Sequence, residues 1–240
     1  MTLRLFVPLP LAVGVELSLP PGPARHAQVR RMQPSEALLL FNGEGGQWHA
    51  QVLTMGRTEV SVRVLRHEEV SSELTFDVTL AIGMPANERM DWLVEKATEL
   101  GVARIQPLIC ERSVLRLAGE REQRKRDHWL GVAIAAAEQS GRVRVPEIAT
   151  ALPLSDWLHK CQAAPVVATR WVLSFQERAV VPTWAGLGDV TMLSGPEGGL
   201  TTLEEDAAKA SGFAAITLGP RVLRAETAPL AVLAWLGMPH

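Results

Sequence analysis

The stretch MLSGPEGGLTTLEED, residues 192–206, places a glutamate in the middle of a glycine-rich turn. Thr201 and Glu204 have the spacing of a capping box, which predicts that the turn leads from an apolar strand into a helix. Three glycines let a ligand approach the main chain closely: Gly195, Gly198 and Gly199. Such turns usually hold anions, yet Glu197 would repel a phosphate. The turn therefore suits a ligand with positive charge or ribose hydroxyls, or it is only a tight turn that caps a helix.

A second glycine turn, LGPRVLRAETA at residues 218–228, also lies between a predicted strand and a predicted helix. Ligands of open α/β sheets bind at the carboxyl ends of strands, so we expect the two turns to form two walls of one pocket. Neither turn contains the GxxxxGK[ST] or GxGxxG pattern of a phosphate-binding loop. S-adenosylmethionine fits this chemistry because it has a sulfonium, an ammonium and a ribose diol, but these residues alone do not single it out.

Two regions of different periodicity must position these turns. The first region is predicted to be β: residues 36–55 have the pattern of a hairpin around Asn42-Gly43, and residues 59–66 alternate as in a half-buried strand. The polar stretch 66–75 is a candidate linker. Several short strands in about 70 residues indicate a small barrel or sandwich.

Beyond the linker, strands and helices alternate, which indicates an α/β domain with a mostly parallel sheet. The predicted strands are residues 76–84, 103–110, 164–169, 189–195 and 214–219. The predicted helices are residues 87–101, 121–140, 201–212 and 225–237. This order places the two glycine turns directly after the last two strands.

Composition limits the classes of function. The 240 residues are 47% hydrophobic and 21% charged, with a net charge of −2, so the chain is globular and is not a polycation. Only four of the 24 basic residues are lysines; arginine suits phosphate and base recognition, but a GC-rich genome would give the same bias. Cys110, Cys161 and the histidines show no metal-ligand spacing, so no metal site is expected. No signal peptide or apolar run of about 20 residues is found, and we expect a cytoplasmic protein without a membrane partner.

Five segments of the chain are similar to those of one known family. They are LSGPEGGLTTLEED, ITLGPRVLRAETAPLAVL, NERMDWLVEKATELGVARIQPLICERSV, AAAEQSGRVRVPEI and RHAQVRRMQPSEALLLFNGEG. They resemble the bacterial 16S rRNA uridine-N3 methyltransferases of the SPOUT class, and the resemblance extends from about residue 4 to residue 237. The two glycine turns at this spacing are far more specific than a lone GPEGG.

The resemblance implies two domains. Residues 1–73 would form a PUA-like, RNA-binding β-barrel, and residues 74–240 a SPOUT-type α/β methyltransferase domain with a C-terminal trefoil knot. It further implies S-adenosyl-L-methionine as the cofactor and methylation of N3 of a uridine (m3U) in the decoding region, near the 3′ end of 16S rRNA, on assembled small ribosomal subunits. It also implies a homodimer through the knotted domain. The apolar helix at 227–237, with Trp235, is either part of that dimer surface or intrachain core.

By position, the resemblance assigns the cofactor to the two glycine turns and to a third wall at Thr169 and Arg170, at the end of the predicted strand. The expected cofactor-binding residues are Thr169, Leu193, Gly195, Pro196, Glu197, Gly198, Gly199, Leu218, Gly219, Val222, Leu223, Thr227 and Ala228.

Methyl transfer to uracil requires alignment of N3 with the methyl group and removal of the N3 proton. Arg221 and Arg224 would lower the pKa of the imide through their charge near O2 or O4. Glu226 or Glu138 would accept the proton. Alternatively, Arg224 and Glu226 form an ion pair that ties the loop to its helix, and Glu138 supports the loops through hydrogen bonds.

RNA contacts are expected from two basic groups. In the first domain the expected residues are Arg4, Arg25, His26 and Arg31; on the helix at 121–140 they are Arg121, Arg124 and Lys125, with Arg126 beside them. The alternative for the helix is an ordinary solvated face. Three other functions remain open: a SPOUT methyltransferase of another rRNA or tRNA position, a non-catalytic RNA-binding ribosome-assembly factor, and a nucleotide-binding metabolic enzyme. The intact glycines argue against the second and Glu197 against the third.

Overall fold

The computed structural model of the chain describes residues 2–115, 119–163, 168–175 and 188–238. Its internal contacts divide it into two compact units. The first unit comprises the residues up to Glu73 together with Ile134–Val145, and the second comprises Leu74–Ala133 and the residues from Pro146 onward. The sequence-based division places residues 134–145 in the second domain, whereas they pack with the first unit.

The first unit contains a five-stranded sheet. Its strands are β1 (Leu3–Phe6), β2 (Glu16–Ser18), β3 (Ala37–Phe41), β4 (Gln47–Met55) and β5 (Val60–Glu68), in the spatial order β1-β3-β4-β5-β2. β1 pairs with β3 in parallel, and the other pairs are antiparallel. The predicted hairpin is confirmed, since β3 and β4 pair around residues 42–46. Its core is formed by alternating strand residues, among them Leu38, Leu40 and Val62.

Helix α1 (Pro21–Val29) of this unit is missing from the sequence-based prediction. Proline is tolerated at its first position, where the missing N–H would be unpaired in any helix. Its buried residues are only Ala24 and Ala27, so it has no apolar stripe that periodicity could detect.

The predicted linker at 66–75 is partly wrong. Strand β5 continues to Glu68, so residues 66–68 belong to the sheet. Glu73 is held by the first unit: its carboxylate accepts hydrogen bonds from the amides of Val143 and Arg144 and forms a buried ion pair with Arg142. Polar composition alone does not distinguish such an anchored segment from a solvated one.

The second unit is built on a seven-stranded sheet in which every pair is parallel. Its strands are β6 (Val78–Gly83), β7 (Arg104–Ile109), β8 (Glu147–Ile148), β9 (Leu152–Pro153), β10 (Thr169–Leu173), β11 (Val190–Ser194) and β12 (Ala214–Ile216). The spatial order is β12-β10-β11-β6-β7-β8, and β9 also pairs with β7. The α/β class with a parallel sheet is confirmed.

The helices of the second unit cover this sheet. They are α2 (Asn87–Glu99), α4 (Leu154–Ala163), α5 (Thr202–Ala210) and α6 (Thr227–Leu236), while α3 (Glu120–Ser140) begins in this unit and ends in the first. Helix α6 has five buried residues, and Trp235 contacts Trp171 with ring centroids 6.1 Å apart, so much of the helix is intrachain core. None of the described helices is both long and apolar enough to cross a bilayer.

The predicted strand at 164–169 is displaced toward the carboxyl end. β10 begins at Thr169, and residues 164–167 lie outside the described part of the chain. The trefoil knot stays a prediction, because residues 164–167 and 176–187 of that region also lie outside the described part of the chain.

Candidate cofactor site

Three loops at the carboxyl ends of β10, β11 and β12 surround one cavity of about 520 Å³. β10 contributes Leu173, Ser174 and Phe175. The first glycine turn follows β11 and the second follows β12, and both line the cavity, as the strand-end argument predicts.

The capping box fixes the first glycine turn to helix α5. The Thr201 hydroxyl accepts a hydrogen bond from the Glu204 amide at 3.2 Å, and the Glu204 carboxylate accepts one from the Thr201 amide at 2.8 Å. Gly199 has a φ of +68°, which favours glycine. A Cβ on Gly195 would lie 2.8 Å from the Leu200 amide nitrogen, so this position requires glycine for space.

A third glycine, Gly83 at the end of β6, lets this turn sit against the sheet. A Cβ there would lie 2.5 Å from Cδ of Pro196 and 2.9 Å from Sγ of Cys110. Burial, with a smaller contribution from the Glu204 charge, raises the pKa of the Cys110 thiol to about 12, so Cys110 acts here as an apolar packing residue.

Glu197 is held by the start of helix α2. Its Oε1 accepts a hydrogen bond from the Ala86 amide at 2.8 Å and lies 3.4 Å from Nη1 of Arg89. A carboxylate at a helix N-terminus is favoured by the helix dipole. The glutamate thus has a partner within the chain, and a cationic ligand is not needed to explain its charge. Its Oε2 accepts no hydrogen bond from the described residues and remains available to a ligand.

The second glycine turn offers main-chain groups to the cavity. The amides of Arg221, Val222 and Leu223 donate to no acceptor within the described residues. Farther along, the Arg224 carbonyl accepts hydrogen bonds from the amides of Thr227 and Ala228, which starts helix α6. The side chain of Val222 is 83% exposed. Free donors beside apolar side chains are suited to a flat, partly polar group such as a nucleobase.

Charged side chains of both signs line the cavity. Arg112 donates to the Gly198 carbonyl at 2.9 Å, and Glu205 accepts from the Ser174 hydroxyl at 2.9 Å. Arg221 and Arg224 make no ion pair with a described residue. Sequence reasoning missed Arg112, Ser174, Phe175 and Glu205. Correct placement of β10 would have indicated Ser174 and Phe175, because they follow a strand as the two glycine turns do.

Comparison with known proteins agrees with this geometry. Residues 72–237 match the family of RNA methyltransferase domains, and residues 24–65 match the RNA methyltransferase PUA domain. The ribosomal RNA small subunit methyltransferase E of Mycobacterium bovis is 32% identical over 216 residues, which cover 88% of this chain and 82% of that protein. This chain belongs to the ribosomal RNA small subunit methyltransferase E family.

Two solved structures are similar along nearly the whole chain. One is a ribosomal RNA small subunit methyltransferase E from Neisseria gonorrhoeae bound to S-adenosyl methionine, with 32% identity, a TM-score of 0.91 and coverage of 98% of this chain and 97% of that one. The other is a putative methyltransferase from Legionella pneumophila in complex with the same cofactor, with 34% identity, a TM-score of 0.89 and the same coverage. The predicted fold class, a SPOUT-type α/β domain preceded by a PUA-like β domain, is confirmed.

Most residues that the family resemblance assigned to the cofactor line the cavity. Those that do so are Gly195, Pro196, Glu197, Gly198, Gly199, Leu218, Val222, Leu223 and Ala228. Leu193, Gly219 and Thr227 adjoin lining residues without lining the cavity themselves. Thr169 is misplaced: it pairs with Val190 at the amino ends of β10 and β11, whereas the cavity lies at their carboxyl ends. Arg170 is misplaced for the same reason.

The two predicted candidates for the proton acceptor, Glu226 and Glu138, differ in position. Glu226 is 6% exposed, and its Oε2 accepts no hydrogen bond from the described residues; it adjoins the cavity-lining loop. Glu138 does not line the cavity. It belongs to the first unit, where it accepts hydrogen bonds from the Phe6 amide at 2.9 Å and pairs with His26 at 3.0 Å. Burial raises the pKa of the Glu138 carboxyl, although these hydrogen bonds and the charge of Arg4 oppose that shift.

The residues predicted to bind RNA are divided between the two units. Arg4 and His26 meet around Glu138, and burial lowers the pKa of Arg4, whose guanidinium also lies over the Phe41 ring. Arg25 and Arg31 are exposed, and Arg31 has a φ of +55°. Arg121 is exposed, Lys125 is half-buried, and Arg124 pairs with Glu120 across one exposed helical turn. Their role in RNA binding stays a prediction.

Proposed function

We propose that this chain transfers a methyl group from S-adenosyl-L-methionine to N3 of a uridine in the decoding region, near the 3′ end of 16S rRNA, on assembled small ribosomal subunits. One observation carries the proposal: two glycine turns, at the carboxyl ends of the two strands that flank β10, line a single cavity of about 520 Å³ in a fold shared with cofactor-bound relatives. Because the proposed substrate is ribosomal RNA, we propose the cytoplasm as its location.

The cavity residues fit the proposed cofactor. Its volume lies within the range of roughly 300–1,000 Å³ that small-molecule sites occupy. The free amides of Arg221, Val222 and Leu223 suit the edge of the adenine, beside apolar Leu218. The carboxylates of Glu197 and Glu205 suit the ribose hydroxyls and the ammonium group. The bound cofactor supplies an electrophilic methyl group on a sulfonium.

Arg224 is the proposed stabiliser of the uracil anion. It lines the cavity, it is exposed, and its guanidinium makes no ion pair with a described residue. A guanidinium near O2 or O4 of the uracil favours the deprotonated imide through its charge, which makes N3 a better nucleophile. Arg221 lines the same cavity and is the second candidate for this role.

Glu226 is the better candidate for the proton acceptor. It stands two residues after Arg224, and its free Oε2 is the only carboxylate oxygen among the buried unsatisfied groups of that loop in the described residues. Glu138 already accepts two hydrogen bonds within the first unit, so the structure favours a supporting role for it.

The decisive experiment supplies labelled S-adenosylmethionine with three acceptors from cells that lack the modification: assembled small subunits, naked 16S rRNA and bulk tRNA. Mass spectrometry identifies the product nucleoside. We expect 3-methyluridine in 16S rRNA, most strongly in subunits. Label in tRNA alone would favour a methyltransferase of another target, and absence of both label and cofactor binding would favour a non-catalytic RNA-binding protein.

Variants test the roles of the residues. Arg224→Ala is expected to lower kcat by about 10²–10³-fold, the effect typical of removing one group that stabilises a developing anion. The surface variant Arg57→Ala makes the same charge change in the first unit and serves as the control. A rise in KM with unchanged kcat would show that Arg224 only binds substrate.

Homodimerisation, tested by light scattering, is a further part of the proposal.

A further inference from the structure

The sheet face beneath α4 and α5 changes character along its strands. In the carboxyl half, Ala81, Leu108, Val172 and Leu193 pack in one apolar cluster with these helices. Two residues earlier on the same strands, and therefore on the same face, stand Thr79, Gln106, Arg170 and Thr191. Parallel sheets normally present apolar residues on both faces. Arg170, Thr191 and Thr79 stand at one level, whereas Gln106 of β7 pairs with Ala81, one step nearer the carboxyl end. This switch to polar residues on four strands indicates that the amino half of this face meets something polar.

The strand register aligns part of these residues in a row. Arg170 pairs with Thr191, Thr191 with Thr79, and Thr79 with Arg104, so the row crosses β10, β11, β6 and β7. With about 4.8 Å between neighbouring strands, the outer arginines are roughly 14 Å apart. The row forms the floor of a cavity of about 530 Å³, here called the amino-end cavity. Arg170 precedes Ser174 by four residues, which separates this cavity from the cofactor cavity by roughly 13 Å along β10.

The amino-end cavity is strongly basic. Its charged lining residues are Arg104, Arg126, Glu147, Lys160 and Arg170, four cations against one carboxylate. Glu147 lies 3.3 Å from Arg104, and Lys160 has no partner within the described residues. A concave site lined by one sign of charge concentrates the electrostatic field.

Two of the arginines are held in position by the main chain. Nε of Arg126 donates to the Ile148 carbonyl at 2.9 Å, and Nη1 of Arg170 donates to the Ser211 carbonyl at 3.1 Å. A guanidinium has five N–H donors, so each retains several for a ligand. Such anchored guanidiniums, with threonine hydroxyls between them, suit phosphate oxygens. Among the described lining residues the one aromatic side chain is Trp157, and it is buried. The cavity therefore has no exposed aromatic ring on which a base could stack.

We propose that the amino-end cavity binds backbone phosphates of the RNA substrate, at a distance from the methylated uridine. The proposal rests on the proposed function only in taking RNA as the substrate. It adds an RNA contact to the second unit beyond Arg121, Arg124 and Lys125 of α3, and it places Arg126, which stands beside them, in the cavity.

The test measures binding of a fluorescent transcript of the 3′ region of 16S rRNA over a series of salt concentrations. Lys160→Ala is expected to weaken binding and to lower the slope of log K against log salt by about one, the value for one lost phosphate contact. Glu147→Gln removes the carboxylate of the cavity and is expected to strengthen binding. Lys96→Ala, which removes a lysine of α2 that pairs with Glu95 and Glu99, is the matched control.

Unchanged RNA affinity and salt slope in both Lys160→Ala and Glu147→Gln would overturn the proposal. The stabilisation of the folded protein by inorganic pyrophosphate is measured for the same variants. If a variant changes this stabilisation but leaves RNA binding unaltered, the cavity holds only small anions, and the proposal is also overturned. Methyl transfer measured in parallel separates the two proposals. If the wild-type protein transfers methyl groups and Lys160→Ala leaves RNA binding unchanged, only the phosphate-site proposal is refuted. If Lys160→Ala weakens RNA binding and the wild-type protein transfers no methyl group, only the proposed function is refuted.

Discussion

Gly83 offers the sharpest test of how the cofactor cavity is built, because its side-chain space is filled by the first glycine turn. A Cβ at Gly83 would lie 2.5 Å from Cδ and 2.6 Å from N of Pro196. Non-bonded carbon atoms in contact are about 3.5–4.0 Å apart, so Gly83→Ala requires Pro196 to move by about 1 Å. Pro196 is a buried, rigid ring between Gly195 and Glu197, and the turn must move with it.

The size of the effect follows from this displacement. Overpacking of this kind costs about 1–3 kcal/mol of unfolding free energy. At about 2–4 °C per kcal/mol, the melting temperature should fall by roughly 2–12 °C. A 1 Å misplacement of positioning groups costs about 10²-fold in rate, so we expect weaker binding of S-adenosylmethionine and much slower methyl transfer from the folded variant.

Calorimetric titration with S-adenosylmethionine and single-turnover methyl transfer would measure both effects well below the melting temperature. Gly131→Ala is the control: Gly131 lies in α3, a Cβ added there would meet nothing within 4 Å, and alanine should stabilise the helix by about 0.5–1 kcal/mol. If Gly83→Ala binds the cofactor and transfers methyl groups like the wild type, the turn does not depend on its contact with β6, and the reasoning is refuted.

Three further predictions concern single residues. Thr201→Ala removes the N-cap of α5 and should lower the unfolding free energy by about 0.5–2 kcal/mol in urea titrations; an unchanged midpoint would contradict the capping role. Burial raises the folded-state pKa of Glu138 above 4.5, so the stability that this group contributes is present below that value and is lost as the pH rises through the raised pKa. Glu138→Gln should lack this loss, and parallel stability–pH curves for the two proteins would contradict a raised pKa of Glu138. Cys110, with a pKa raised to about 12 and 3% exposure, should react with a thiol reagent at pH 8 only after unfolding, as mass spectrometry of the labelled peptide would show.

The sequence predicts the features of the site that depend on local chemistry. The capping box at Thr201 and Glu204 and the glycine of positive φ at Gly199 follow from side chains a few residues apart. The position of both turns at strand ends follows from the alternation of strands and helices. These predictions hold because the residues that determine each turn lie within that turn.

Features that depend on contacts between distant parts of the chain could not be predicted from the sequence. Gly83 matters only because Pro196, more than a hundred residues later, packs on it. Glu138 accepts a hydrogen bond from the amide of Phe6, 132 residues earlier. Its position in the sequence therefore does not indicate that it belongs to the first unit. For Glu197, the argument from ligand charge leaves out the N-terminus of α2, which supplies the partner within the chain.

The division of α3 between the two units has a consequence for protein synthesis. The first unit occupies the beginning of the chain, yet it includes Ile134–Val145, among them Glu138 and Arg142. At about 5–20 residues per second, residue 145 is made roughly 4–14 s after Glu73. During that interval the Phe6 amide and the Glu73 carboxylate have no partner from this segment, while β6, α2 and β7 are already available to fold. The first unit to be synthesised therefore finishes folding only after part of the second has been made.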